Sequence, residues 1–223
     1  MQKLKVFLGA AVMICALAVN AQNRYGDSYN RLGIQAGITY GGVNSDDFNT
    51  YKNTGFMAGL TTRAAVYNNF IIIYGVNFYE FNTGINIKET PTSQSSAADF
   101  KTTGVQINLF GGHKIIGEHL SFEAGPVLQI NSKLKPEKEF ENYFIEGYDL
   151  QAEDLEEISR VNFNVAGNIS AGFRDVKFWF QYQYGVNNIF SKLNSEGLEN
   201  KDSRAANLNG HLGLATAGIV VYF

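Results

Sequence analysis

Three kinds of residue in this sequence have the chemical character to form a site. The first are the histidines His113, His119 and His211. Zinc sites draw ligands as close pairs on one element or as groups converging from several. His113 and His119 are near in sequence, but neither a third His nor a Cys supports them. Ser121 follows His119 by two positions, yet no nucleophile–base–acid set stands out, nor any phosphate loop or paired-carboxylate site. The second kind are the charges Arg63, Glu123 and Lys177, whose role depends on the faces that carry them. The third is an acidic stretch within residues 131–160. It carries Glu137, Glu139, Glu141, Glu146, Asp149, Glu153, Asp154, Glu156 and Glu157, interleaved with Phe140, Tyr143, Phe144 and Tyr148. Aromatic side chains on a loop are the usual material of a recognition surface.

The elements that must hold these residues have the pattern of β-strands. Residues 176–186 put Val176, Phe178, Phe180, Tyr182, Tyr184 and Val186 on one face, and Lys177, Trp179, Gln181, Gln183 and Gly185 on the other. Period-two alternation marks a strand with two different faces. Six bulky side chains from one strand would overfill a small lumen, so the apolar face is expected to meet lipid. Seven further segments repeat the pattern, near residues 32–41, 56–66, 72–79, 104–110, 120–130, 162–171 and 207–223. In the last, Leu212 and Leu214 fall out of step with Ile219, Val221 and Phe223, which predicts a bulge. Pro126 has no N–H for a ladder, which predicts a bulge or a strand end beside it.

Short connections at 68–69, 115–119 and 174–175 alternate with long ones at 44–53, 82–100, 131–160 and 187–206. Outer-membrane barrels alternate in this way, with short periplasmic turns and long extracellular loops. The expected fold is all-β: a transmembrane antiparallel up-and-down β-barrel of about eight strands. Arg63, Glu123 and Lys177 then fall in the lumen near the periplasmic end, where Glu123 is expected to pair with Arg63 or Lys177. The stretch 131–160 is expected to be a solvated loop, with the fifth and sixth strands continuing above the membrane as a hairpin. A short helix is expected near 150–159, and Phe140, Tyr143, Phe144 and Tyr148 form a possible recognition surface.

Composition agrees with this class. Aromatics make up 13% and charged residues 17% of the chain, against a usual charged share of about 25%. Disordered chains have the opposite balance. A net charge of -3 gives no sign of a nucleic-acid partner. Residues 1–21 have the form of a cleaved secretory signal, leaving 22–223 as the barrel domain. Lys3 and Lys5 precede an apolar stretch from Val6 to Val19, and Val19-Asn20-Ala21 forms the cleavage site. Cys15, the only cysteine, lies inside that segment. The mature chain is therefore expected to lack disulfides and thiolate metal sites, and no cofactor is expected.

The chain resembles the PorT-like outer-membrane β-barrel proteins of Gram-negative bacteria, small barrels of OmpX/OmpA-like architecture. The resemblance is carried by Leu32-Gly33-Ile34-Gln35-Ala36-Gly37, Phe122-Glu123-Ala124-Gly125-Pro126, Tyr184-Gly185-Val186-Asn187-Asn188-Ile189 and Val221-Tyr222-Phe223. It implies a fold and an outer-membrane address. The family's founder is linked to protein secretion, and no residue here carries that role over. The terminal Phe223 is similar to the signal read by the barrel-insertion machinery, an expected partner beside outer-membrane lipid. The His119-Leu120-Ser121 spacing is similar to the His/Ser pair of outer-membrane lipid deacylases. Those enzymes act near the outer leaflet, whereas strand parity puts His119 at the periplasmic end.

The expected function is that of a non-enzymatic integral barrel with a structural role or a surface role through its loops. The alternatives are a porin-like channel for small solutes, a component supporting secretion, a lipid-modifying enzyme, and a soluble lipocalin-like binder with its aromatic faces turned inward. Trp179, Tyr79 and Phe110 on the inner face weigh against an open channel.

Overall fold

The structure is a computed structural model that describes residues 30–223. The expected signal segment 1–21 lies outside the described residues. Eight long strands run in chain order: β1 Asn30–Asn44, β2 Thr50–Tyr67, β3 Phe70–Lys88, β4 Ser96–Ile116, β5 Leu120–Asn131, β6 Val161–Gly172, β7 Val176–Gly185 and β8 His211–Tyr222. Each is antiparallel to its sequence neighbours, and β8 pairs back onto β1 from Gly33–Tyr222 to Asn44–His211. The sheet is a closed eight-stranded ring, so its backbone groups pair within the wall and no edge is left in the ring.

Side-chain alternation sorts the two faces. Ile38 is 68% exposed on the outer wall, Phe163 60% and Phe178 66%. On the inner face Gln106, Gln129, Asn164, Lys177 and Gln183 are buried. The aromatic faces therefore point outward, as a lipid-embedded barrel requires and a lipocalin-like binder does not. Among the described residues no helix is long and apolar enough to cross a membrane; the strands do the crossing. At one end the connections are tight. Asn68 adopts a left-handed conformation with φ 50° in the β2–β3 turn, a geometry that Asn tolerates better than most residues.

Four expectations are corrected. The bulge foreseen in β8 is absent: its register runs unbroken against both β7 and β1. Leu212 and Leu214 point inward and Ile219 and Val221 outward, because the lumen itself becomes apolar at the loop end. Pro126 makes neither a bulge nor a strand end. The β4–β5 ladder breaks off after Asn108–Val127 and resumes at Gly111–Ala124 in the same register, while Pro126 stays opposite Val165 on β6. The loop expected over 82–100 is mostly strand, since β3 and β4 stay paired from Phe70–His113 to Ile87–Ser96. The strands that extend furthest at the loop end are thus β3 and β4, with β2 paired along β3 as far as Thr50–Ile85, not the fifth and sixth, which stop at Asn131 and begin at Val161.

Candidate functional site

The lumen is filled in layers, each set by the polarity of inward positions. At the turn end β2 supplies Arg63, β5 Ser121 and Glu123, and β6 Asn168 and Ser170, all buried. Arg63 Nη1 donates to Glu123 Oε1 at 3.1 Å, and Arg63 Nη2 to Ser121 Oγ at 2.7 Å. Ser121 Oγ donates to Glu123 Oε1 at 2.6 Å and Asn168 Nδ2 to Glu123 Oε2 at 2.7 Å. The structure thus sets Glu123 against Arg63. Lys177 lies in the same end of the lumen, but its Nζ donates to the backbone carbonyl of Glu118, whose carboxylate pairs with Lys114. Neither Glu118 nor Lys114 was singled out by alternation, because a residue beside a turn carries no face signal.

Above this charged layer lies one of amides. Gln35 Nε2 donates to Asn77 Oδ1 at 2.6 Å, and Asn77 Nδ2 to Asn108 Oδ1 at 3.1 Å. Asn164 and Gln183 both donate to Gln129 Oε1, at 2.7 and 3.2 Å. Paired amides in a low-dielectric interior tie together the strands on each side of the lumen, β1, β3 and β4 on one and β5, β6 and β7 on the other, since each would be costly unpaired.

The loop end is apolar. Inward positions of β3 and β4 above the amides carry Tyr79, Phe81, Ile85, Ile87, Ala98 and Phe100, all at most 1% exposed. Their outward neighbours are Glu80, Asn82, Asp99 and Lys101, and Lys101 pairs with Glu80 at 2.9 Å. The polarity of the two faces has inverted at constant pleat: below, lipid takes the outer apolar face; above, the cap takes the inner one.

That cap is built by the loops. Residues 132–160 contribute Leu134, Ile145, Leu150, Leu155 and Ile158, and residues 186–210 contribute Ile189, Phe190, Leu193, Leu198 and Leu208, all in one buried cluster with Phe48 and the strand ends. Short strand pairs tie the first of these loops to the rising strands, Lys135–Pro136 to β4 and Phe144–Ile145 to β3. The loop expected to be solvated is therefore folded. In place of a helix over 150–159 there is a single 3-10 turn, Ala152–Leu155, which buries Ala152 and Leu155. Phe140, Tyr143, Phe144 and Tyr148 are each half-buried, and Phe140, Tyr143 and Tyr148 pack on the cap cluster rather than standing free. The signal that reveals this is the set of apolar residues spaced among the acidic ones, together with Ile189, Phe190 and Leu193 in the next loop.

Charged seams lock the cap loops together. Glu157 accepts from Lys133 at 2.6 Å and pairs with Lys192 of the neighbouring loop. These two ammonium groups hold its carboxyl down at about 2. Asp202 accepts from Arg204 Nε at 2.9 Å and from the Asp149 backbone N–H at 2.9 Å. Arg204 thereby keeps the Asp202 carboxyl well below the usual carboxylate range. The Arg204 guanidinium also lies 5.3 Å from the centre of the Tyr148 ring, a cation–π distance.

The histidines do not converge. His113 sits edge-on to Phe70, His119 faces Phe173 and the Gly172 carbonyl, and His211 stacks on Tyr184. Among the described residues no group of three or more His, Cys, Asp or Glu is placed to hold a metal.

The family described as outer membrane protein beta-barrel domain matches residues 20–191. No curated protein matches the chain. Among solved structures, Ail of Yersinia pestis, in complex with the heparin analogue sucrose octasulfate, is similar at 14% identity. That match covers 87% of this chain and 99% of that one, with a TM-score of 0.48. OprG of Pseudomonas aeruginosa is similar at 11% identity over 89% and 98% of the two chains, with a TM-score of 0.49. Neisserial surface protein A is similar at 14% identity over 86% and 97%, with a TM-score of 0.44.

Proposed function

The chain belongs to the outer membrane protein beta-barrel domain family, and from that premise we propose that it is a sealed, non-enzymatic barrel presenting a folded cap for recognition at the cell surface. The observation that carries this is the buried apolar cluster closing the loop end over a lumen already filled by paired amides and the Arg63–Glu123 layer. A channel needs a continuous wet path; layers of bonded side chains under a dry cap do not supply one. Folding the long loops into one core gives them a fixed surface, which lowers the ordering cost of binding a partner.

The recognising part is the 131–160 segment, where nine carboxylates outnumber the four cations Lys133, Lys135, Lys138 and Arg160. With the half-buried rings of Phe140, Tyr143, Phe144 and Tyr148, this surface suits a partner with cationic or hydrogen-bonding groups. The segments shared with PorT-like barrels are chiefly wall segments, so they support the architecture and an outer-membrane address, not a part in secretion. Phe223 next to the β8–β1 seam supports recognition by the barrel-insertion machinery.

Two measurements test the proposal. Purified protein in planar bilayers is expected to give no conductance steps; regular open-channel steps would restore the solute pore. Single-cysteine variants in the mature chain decide the orientation. Glu139→Cys in the cap is expected to react with an impermeant maleimide on intact cells, and Asn69→Cys in the β2–β3 turn only after permeabilisation. The reverse pattern would put the cap in the periplasm and end the surface role.

A further inference from the structure

Directly above the charged layer, the lumen holds a cavity of about 20 Å³. Asn108, Asn168, Ser170 and Gln181 give it polar walls, and Phe110 and Trp179 aromatic ones. Asn108 accepts from Asn77, and Gln181 donates to Gln183 at 3.4 Å. Two of the lining residues each carry a buried atom with no hydrogen-bond partner within the protein: Trp179 Nε1, a donor, and Asn168 Oδ1, an acceptor. Both residues are more than nine-tenths buried, Trp179 at 6% exposure and Asn168 at 7%. Neither can easily turn away. Asn168 Nδ2 donates to Glu123 at 2.7 Å and to Ser170 at 3.1 Å, so flipping the amide would aim a carbonyl at a carboxylate. The Trp179 indole lies against Gly37 and Gly218, where added Cβ atoms would come within 3.0 and 2.5 Å of it.

An orphan donor and an orphan acceptor on one small polar cavity are what a buried water satisfies, and such a water needs roughly 10–15 Å³. We propose that this cavity binds a single structural water, which accepts from Trp179 Nε1 and donates to Asn168 Oδ1. It thereby completes the hydrogen bonding of the residue that orients Glu123, linking the lone tryptophan of β7 to the charged layer. The site rests on the sealed lumen proposed above, since an open lumen would replace one bound water with exchanging solvent.

The single Trp gives a single indole N–H resonance, so nuclear magnetic resonance of the 15N-labelled, refolded barrel in micelles reads the site directly. The expected result is an indole N–H that exchanges slowly with solvent and shows a cross-peak to a long-lived water. The peak should persist in Ser170→Ala, which removes a hydroxyl that could relay it, and vanish in Asn168→Leu. If Asn168→Leu does not refold, the wild-type spectrum still decides. A slowly exchanging indole with no water peak, or a peak lost in Ser170→Ala, would overturn the water site and leave the sealed barrel standing. A rapidly exchanging indole would overturn both.

Discussion

Glu123 accepts hydrogen bonds from Arg63, Ser121, Asn168 and Ser170, on three strands, at a point where it is wholly buried. A buried pair of this kind is costly to break because the surviving charge is stranded. Glu123→Ala is therefore expected to lower stability by about 3–5 kcal/mol, read from the denaturant midpoint of the refolded barrel. The double change Arg63→Met with Glu123→Leu is expected to cost less, since it strands no charge and leaves only the neutral donors Ser121, Asn168 and Ser170 without their acceptor. An unchanged midpoint in Glu123→Ala would remove the strut role. Glu157 makes the opposite kind of residue-scale contribution, half-buried at the cap surface and electrostatic. Lys133 and Lys192 lower its carboxyl from 4.5 to about 2, so the folded cap binds this proton less readily than the unfolded chain. Its contribution is then complete above about pH 4.5 and is lost as pH falls toward about 2. The Ser159 amide, which donates to the Ile189 carbonyl across the same seam at 2.8 Å, reports it. Its exchange protection, corrected for intrinsic rate, is expected to fall over that window, and in Glu157→Gln to be low already at neutral pH. Protection that ignores both the pH and the variant would show that the seam does not hold the loops.

At the scale of elements, β7, β8 and β1 fit together because glycine faces the indole. Trp179 pairs with Gly218, which pairs with Gly37, so the ring crosses two strands that carry no side chain there. Gly218→Val would drive a branched side chain into Trp179 and is expected to cost about 1–3 kcal/mol by overpacking. Adding Trp179→Phe should recover part of that loss in the same unfolding measurement; no recovery would mean that the backbone near the Ala36 carbonyl, not the indole, is the obstacle. The rising parts of β3 and β4 show why the long loops were hard to foresee. Their alternation continues without a break past Phe78–Val105, but the apolar set changes from the outer face to the inner one. A reader who follows the apolar face sees the strand end there. The same inversion makes Leu212 and Leu214 seem out of phase in β8.

Over the whole molecule, the barrel and the cap are separate sources of order: one is a ring of hydrogen bonds facing lipid, the other a dry core of loop side chains. Phe190 is fully buried in that core and meets Phe48 edge-on at 5.5 Å. Phe190→Ala is expected to cost the cap about 3–5 kcal/mol. Loops 132–160 and 186–210 should then become protease-sensitive while the boiling-dependent gel shift of the barrel remains. Loss of the gel shift with the cap would show that the two fold as one unit.

The closed eight-stranded ring and its outward aromatic faces were legible in the sequence, as was the alternation that sets Arg63, Glu123 and Lys177 on the polar faces of their strands. Each rests on strict period-two alternation within one strand, a local property that lipid on one side enforces. Which cation meets Glu123, the fit of Trp179 across Gly218 and Gly37, and the folding of the acidic loop into a cap were decided only in three dimensions. They depend on register between strands and on contacts between loops far apart in sequence, and no pattern within a single segment records who sits opposite whom.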